Sequence, residues 1–158
     1  MKPLDHKKVA YLIVHCTASP EGLDLDAKAI DRMHRNRGFS MIGYHYLIKL
    51  DGTIEEGRPL DKQGAHVRGY NDESIGIAYV GGLDSARKAK DTRTELQQVA
   101  MVNLLEALVK KFPKAKIVGH RDLSPDLDGD GVVEKHEWMK QCPCFSAIEE
   151  YNFLDGAN

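Results

Sequence analysis

The stretch VAYLIVHC, Val9 to Cys16, decides how the rest of the chain is read. It is a continuous apolar run rich in β-branched residues, the pattern of a strand buried on both faces in the middle of a sheet. It closes on two residues with chemistry of their own, His15 and Cys16. Two further runs read the same way: SIGIAYVGG from Ser74, and AKIVGH, which ends on His120. Between them, YHYLIKLDGTIEEG (Tyr44 to Gly57) has the form of a hairpin turning at Asp51-Gly52, a dipeptide that tolerates positive φ in a type I′ turn.

Helical segments alternate with these strands. From Asp24 or Asp26 to Arg37, Ile30 and Met33 fall on a helical period and Gly38 supplies the stop. Thr94 with Gln97 three residues on forms a capping box. Leu96, Ala100, Leu104, Leu108 and Val109 then carry an amphipathic helix that stops before Pro113. The order of elements predicts one α/β domain over 1–158, with a central mixed β-sheet flanked by helices.

Composition narrows the function. At 158 residues and 42% hydrophobic, the chain suits one domain with a substantial core. A net charge of -2 offers no basic field for nucleic acid or an anionic membrane, so neither partner is expected. The N-terminal MKPLDHKKVAYLIVHC is too short in its apolar part and too polar for a signal peptide. No stretch approaches the length of a membrane span. The expectation is a monomer made in the cytoplasm without an export signal.

KQCPCF, Lys140 to Phe145, holds two of the three cysteines. Disulfide, nucleophile and metal ligand are all open to them. A Cys142–Cys144 bond would close a very tight ring through Pro143, against the Cα spacing disulfides need, and an odd count of three shows no disulfide framework. Among seven histidines, His6, His34 and His136 read as ordinary: a polar terminus, a helix and a charged run. His15 and His120 differ, because each closes an apolar strand where neighbouring strand ends meet. With a Cys142 thiolate they would make a two-imidazole, one-thiolate set of the kind used by catalytic zinc, with a fourth position left for water. The competing reading is that strand-end histidines are more often hydrogen-bonded than metallated.

Five blocks, IVHCTAS, GYHYLIKLDGTIEEGRP, GAHVRGYNDESIGIAYVGG, GHRDLSPD and KQCPCF, stand in this order along Tyr11 to Phe145. In sequence and order they resemble the zinc-dependent N-acetylmuramoyl-L-alanine amidases of the phage-lysozyme and peptidoglycan-recognition-protein family. The resemblance implies zinc on His15, His120 and Cys142, a catalytic tyrosine at Tyr44 and the catalytic lysine of the phage branch at Lys140. His66, Asn71 and Ser74 match a block that contacts substrate or shapes its groove. The implied substrate is peptidoglycan or its muropeptides, cut at the amide between N-acetylmuramic acid and L-alanine. The proton-transfer role stays open between Tyr44, Lys140 and the zinc-bound water. Cys144 then reads as a small buried hydrophobe and Cys16 as a core residue on the strand face opposite His15.

Several roles fit such a chain: a phage or prophage endolysin released to the wall through a holin lesion, a cytoplasmic enzyme recycling wall fragments, or a module that binds peptidoglycan without cutting it. Binding-only relatives lack the thiolate ligand, which favours an enzyme. One segment lies outside the family pattern. DLDGDGVVEKHE, Asp126 to Glu137, matches an EF-hand loop, with Asp126, Asp128 and Asp130 at positions 1, 3 and 5, Gly131 at 6, the Val132 carbonyl at 7 and Glu137 at 12. GHRDLSP precedes it in place of an incoming helix. Structural calcium is the expectation, against the plain alternative of a solvated acidic turn.

Overall fold

In the computed structural model, residues 1–155 are described; the last three residues of the predicted 1–158 domain lie outside them. Seven strands form in chain order: β1 (Tyr11–Cys16), β2 (Ser19–Pro20), β3 (Tyr46–Ile48), β4 (Ile54–Glu56), β5 (Ser74–Tyr79), β6 (Gly82–Leu83) and β7 (Lys116–Gly119). The main sheet runs β4-β3-β5-β1-β7, and β2 pairs with β6 apart from it. β1 lies parallel to both β5 and β7, β3 is parallel to β5, and β4 alone is antiparallel, so the sheet is mixed as expected. β1 is flanked on both sides and buried along nearly all its length, which is why its sequence carries no polar alternation.

The two faces of β1 have different duties. Leu12, Val14 and Cys16 enter the main core with Ile75, Ile77 and Tyr79 of β5. That face is covered by α2 (Glu95–Lys111) and the short α3 (Ala147–Tyr151). Ile13 packs with Val67 and Val118 on the opposite face, which α1 (Ala27–Asn36) covers through Ile30 against Leu47 and Ala78. Arg93, its side chain 3% exposed, ties the C-terminal segment down: it pairs with Asp91 and Glu150, donates to the Tyr151 hydroxyl at 2.8 Å and sits 3.4 Å above the Phe145 ring. Among the described residues no helix is long and apolar enough to cross a membrane.

Local readings hold where a cap fixes them. Asp26 caps α1 by accepting from Ala29 N at 2.8 Å, and both bonds of the Thr94–Gln97 box are present. The buried stripe of α2 is displaced from the one read in the sequence, to Gln97, Ala100, Met101, Leu104, Leu105 and Leu108. Leu96 is 59% exposed, because the box turns Gln97 inward, where its amide donates to the Ile48 and Val80 carbonyls. Met33 likewise faces out, and His34, read as ordinary, is buried with Nδ1 accepting from Gly43 N at 2.8 Å.

The hairpin corrects a turn. Lys49 N bonds Thr53 O at 2.9 Å around the three residues Leu50, Asp51 and Gly52, and Gly52 has a φ of 85°. Asp51 is not in the left-handed region; its side chain accepts from Thr53 N. The connection is therefore a three-residue loop with glycine at its left-handed position, not a two-residue type I′ turn.

Candidate metal centre

Parallel pairing positions the two histidines. Val14 of β1 is in register with Gly119 of β7, so the next residue on each chain, His15 and His120, emerges side by side at the carboxyl ends of the strands. Their ring centroids are 4.8 Å apart. The third member arrives on the returning segment. Arg121 N donates to the Cys142 carbonyl at 2.8 Å, and the Tyr79 hydroxyl donates to the Pro143 carbonyl at 2.7 Å. This close docking needs a glycine at 119, since a Cβ there would stand 2.7 Å from Pro143 Cδ. Cys142 Sγ also accepts from Cys16 N at 3.1 Å, a backbone donor suited to a thiolate.

One donor atom from each of His15, His120 and Cys142 lies within 4.8 Å of the others. His15 Nδ1 and Cys142 Sγ are 3.8 Å apart. Nitrogen and sulfur ligands at tetrahedral angles around one zinc ion would be separated by roughly 3.6 Å, so the His15–Cys142 pair is spaced for zinc, and the donor set is one zinc favours. Burial, with His66, His120 and Lys140 nearby, holds His15 well below the usual imidazole range; burial and then Lys140 bring His120 down to about 4. Both rings are neutral at physiological pH, the state a metal requires. A hydrogen bond to Cys142 pushes the Cys16 thiol up to about 12, which leaves Cys16 a protonated core residue. All three cysteines are free; Cys144, half-buried rather than buried, has a φ of 72° and donates to the Gly82 carbonyl.

The cleft over these residues has a volume of about 230 Å³ and is also lined by Tyr44 and Lys140. The Tyr44 ring lies 5.2 Å from that of His15. Burial, and then the neighbouring Cys142, raise the Tyr44 phenol above its ordinary range, so it remains a proton donor. Lys140 is exposed and, among the described residues, makes no ion pair.

Of the groove-side trio, His66 lines the same cleft, while Asn71 and Ser74 support it from behind. His66 Nδ1 is 2.7 Å from His15 Nε2, and its Nε2 is 3.3 Å from Ser74 Oγ. Ser74 is fully buried at the start of β5 and offers no surface to a substrate. Asn71 spends its side-chain carbonyl on the backbone N–H groups of His66 and Val67, both at 3.0 Å, fixing the loop that carries His66. Sequence reading named all three residues as contacting substrate or shaping its groove, but not this hydrogen-bonded layer. Its one legible trace is Gly76, where a Cβ would stand 2.8 Å from the His66 ring.

The loop beyond His120 brings carboxylate oxygens of Asp126, Asp128, Asp130 and Glu137 within 4.8 Å of one another. Glu137, 2% exposed, accepts from the backbone of Leu127, Asp128 and Glu134. A hydrogen bond with Asp130 pushes neighbouring Glu134 up to about 7. The loop is closed by Met139 N donating to Ser124 Oγ, and Arg121 stacks 3.8 Å over the Trp138 ring.

An α/β sheet thus brings two imidazoles and a thiol together at its carboxyl edge, in a cleft that Tyr44 and Lys140 also line. Residues 5–144 match the family described as N-acetylmuramoyl-L-alanine amidase, and the chain belongs to that family. It is 49% identical over 106 residues to an uncharacterised protein of Haemophilus influenzae (67% of this chain, 89% of that one) and 36% identical over 119 residues to the endolysin of Enterobacteria phage K11 (75% and 79%). Among solved structures, the N-acetylmuramoyl-L-alanine amidase LysC from Clostridium intestinale superposes with a TM-score of 0.66 at 27% identity, covering 90% of this chain and 81% of that one. Bumblebee PGRP-SA, at 23% identity with a TM-score of 0.72 over 98% of this chain and 87% of that one, shares the fold.

Proposed function

We propose that the chain is a zinc-dependent amidase that hydrolyses the bond between N-acetylmuramic acid and L-alanine in peptidoglycan, acting as a phage or prophage endolysin. The observation that carries this is the convergence of His15, His120 and Cys142 in one cleft with Tyr44 and Lys140. Zinc bound there supplies a water acidified to a pKa of about 7 and polarises the amide carbonyl. The chain's own residues do the rest. Tyr44, held protonated by burial, donates its phenolic hydrogen to the oxygen that gains charge during attack. The Lys140 ammonium, with no carboxylate engaging it, turns toward the same oxygen. Binding without cutting would leave this pairing of a neutral two-imidazole, one-thiolate set with two oxyanion donors without a purpose.

The endolysin role is favoured over recycling by the phage relatives, named endolysins, that the chain resembles. Turnover of intact sacculi is compared with that of soluble muropeptides, reading the release of peptides with a free L-alanine amino terminus. An endolysin cuts sacculi at a rate comparable to the soluble fragments; activity confined to the fragments would mark a recycling enzyme.

We also infer a structural calcium ion in the Asp126–Glu137 loop, because carboxylates at four EF-hand ligand positions lie close together there. Its closure through Ser124 and Trp138 places it directly before Lys140, so ordering the loop steadies the catalytic end. Affinity is expected in the weak range of roughly 10⁻⁵–10⁻³ M. Titrating zinc-loaded protein with calcium should release or absorb heat, and calcium at a hundred times its dissociation constant should raise Tm by roughly 5–10 °C. Asp128→Ala should abolish both. No heat and no shift with calcium raised to about 0.1 M, a hundred times the weakest of these constants, would leave only an acidic turn.

A further inference from the structure

A chain of hydrogen bonds runs behind His15, and its polarity can be read from the far end. Ser74 Oγ is 2.7 Å from the Tyr70 carbonyl and 3.3 Å from His66 Nε2. A hydroxyl has one proton to donate, and the shorter contact, to an oxygen that can only accept, takes it. Ser74 Oγ is therefore an acceptor toward His66, which puts the hydrogen of His66 on Nε2. A neutral imidazole has only one N–H, so His66 Nδ1 offers a lone pair, and His15 Nε2–H donates to it across 2.7 Å. The lone pair of His15 is thereby left on Nδ1, the nitrogen that faces Cys142 Sγ.

We propose that Ser74 and His66 are positioning residues that lock His15 in the Nε2–H tautomer and hold its Nδ1 as a ready metal ligand. This rests on the reading of His15, His120 and Cys142 as zinc ligands. The opposite polarity would run a hydrogen from His66 Nδ1 to His15 Nε2 and place the His15 proton on Nδ1, blocking the metal position. The packing supports a dedicated device. Gly76 clears the space for the His66 ring, Ser74 is fully buried, and the Asn71 carbonyl pins the backbone on which His66 sits. Histidine ligands of metals commonly need such an outer partner to fix the ring and its tautomer.

The test uses the full chain with ¹⁵N-labelled histidine. In metal-free wild-type protein, long-range ¹H–¹⁵N correlation should show His15 and His66 both protonated on Nε2 and unprotonated on Nδ1. Zinc affinity, measured by competition with a chromophoric chelator, should weaken about 10–100-fold in Ser74→Ala and in His66→Phe. His15 in both variants should show a mixture of tautomers. A wild-type His15 carrying its proton on Nδ1 would overturn the proposal, as would unchanged zinc affinity in both folded variants. If neither variant folds, the wild-type spectrum still decides. A wild-type protein that takes up no zinc would refute the zinc reading itself, while the tautomer pair, read without metal, would still judge the relay.

Discussion

Cys142→Ser is expected to lose its zinc and with it the amidase activity, while remaining folded. The thiolate is the one anionic ligand of the set, and a serine hydroxyl stays protonated near neutral pH and binds zinc poorly. Loss of an outer partner of a metal ligand costs about 10–100-fold, and loss of the ligand itself should exceed that. The fold should survive because the segment is held by groups other than the sulfur: the Cys142 carbonyl on Arg121 N, the Pro143 carbonyl on the Tyr79 hydroxyl, and Arg93 stacked on Phe145. Elemental analysis should find the variant depleted of zinc beside a replete wild type, with Tm of the two metal-free proteins close together. Chelation of the wild type should mimic the variant, and added zinc should reverse chelation but not the substitution. A folded, zinc-free variant that released L-alanine-terminated peptides at the wild-type rate would end the zinc mechanism.

How far the sequence discloses this centre depends on the kind of residue. His15 and His120 are legible because strands end where their apolar runs end, and parallel neighbours bring those ends together; the register of Val14 with Gly119 does the rest. Cys142 is legible from its unusual CPC setting and from the family blocks, although nothing periodic announces where the segment docks. The layer behind these three residues is not readable in this way. His66 and Asn71 lie on an irregular connection whose path over the sheet depends on tertiary contacts, with no repeating pattern to place them. A motif match therefore reports that they matter without reporting which way they face. Burial is the deciding fact for Ser74, and a serine at the head of an apolar strand looks the same in sequence whether it faces a cleft or closes a hydrogen-bond chain. The outward turn of Leu96 has a comparable origin, since the capping box sets the helix phase and commits Gln97 to the interior.

Lys140→Ala and Tyr44→Phe should each lower kcat by about 10²–10³, the usual loss when one donor to a developing oxyanion is removed, and each should keep its zinc. The separation follows from ligand chemistry. A protonated phenol is a poor zinc ligand and an ammonium has no lone pair to offer, yet both side chains line the cleft of His15, His120 and Cys142. For Tyr44 the burial that holds the phenol protonated keeps its hydrogen available to a charged oxygen, and a hydrogen bond to an ionised acceptor is a strong one. Phenylalanine keeps the ring that packs at 5.2 Å from His15 and removes only the hydroxyl, so the loss should appear in kcat with Tm nearly unchanged. For Lys140 a second comparison is informative. Arginine retains the charge but not the compact ammonium, so Lys140→Arg should recover part of the rate if charge near the oxyanion is what counts. The double variant tests whether the two donors act on one oxygen: joint action makes their losses less than multiplicative, because the remaining rate no longer depends on that site. Zinc content is measured on every variant. Loss of zinc in Tyr44→Phe or Lys140→Ala would move that residue from donor to guardian of the metal site, and rates within about twofold of wild type would remove it from the mechanism.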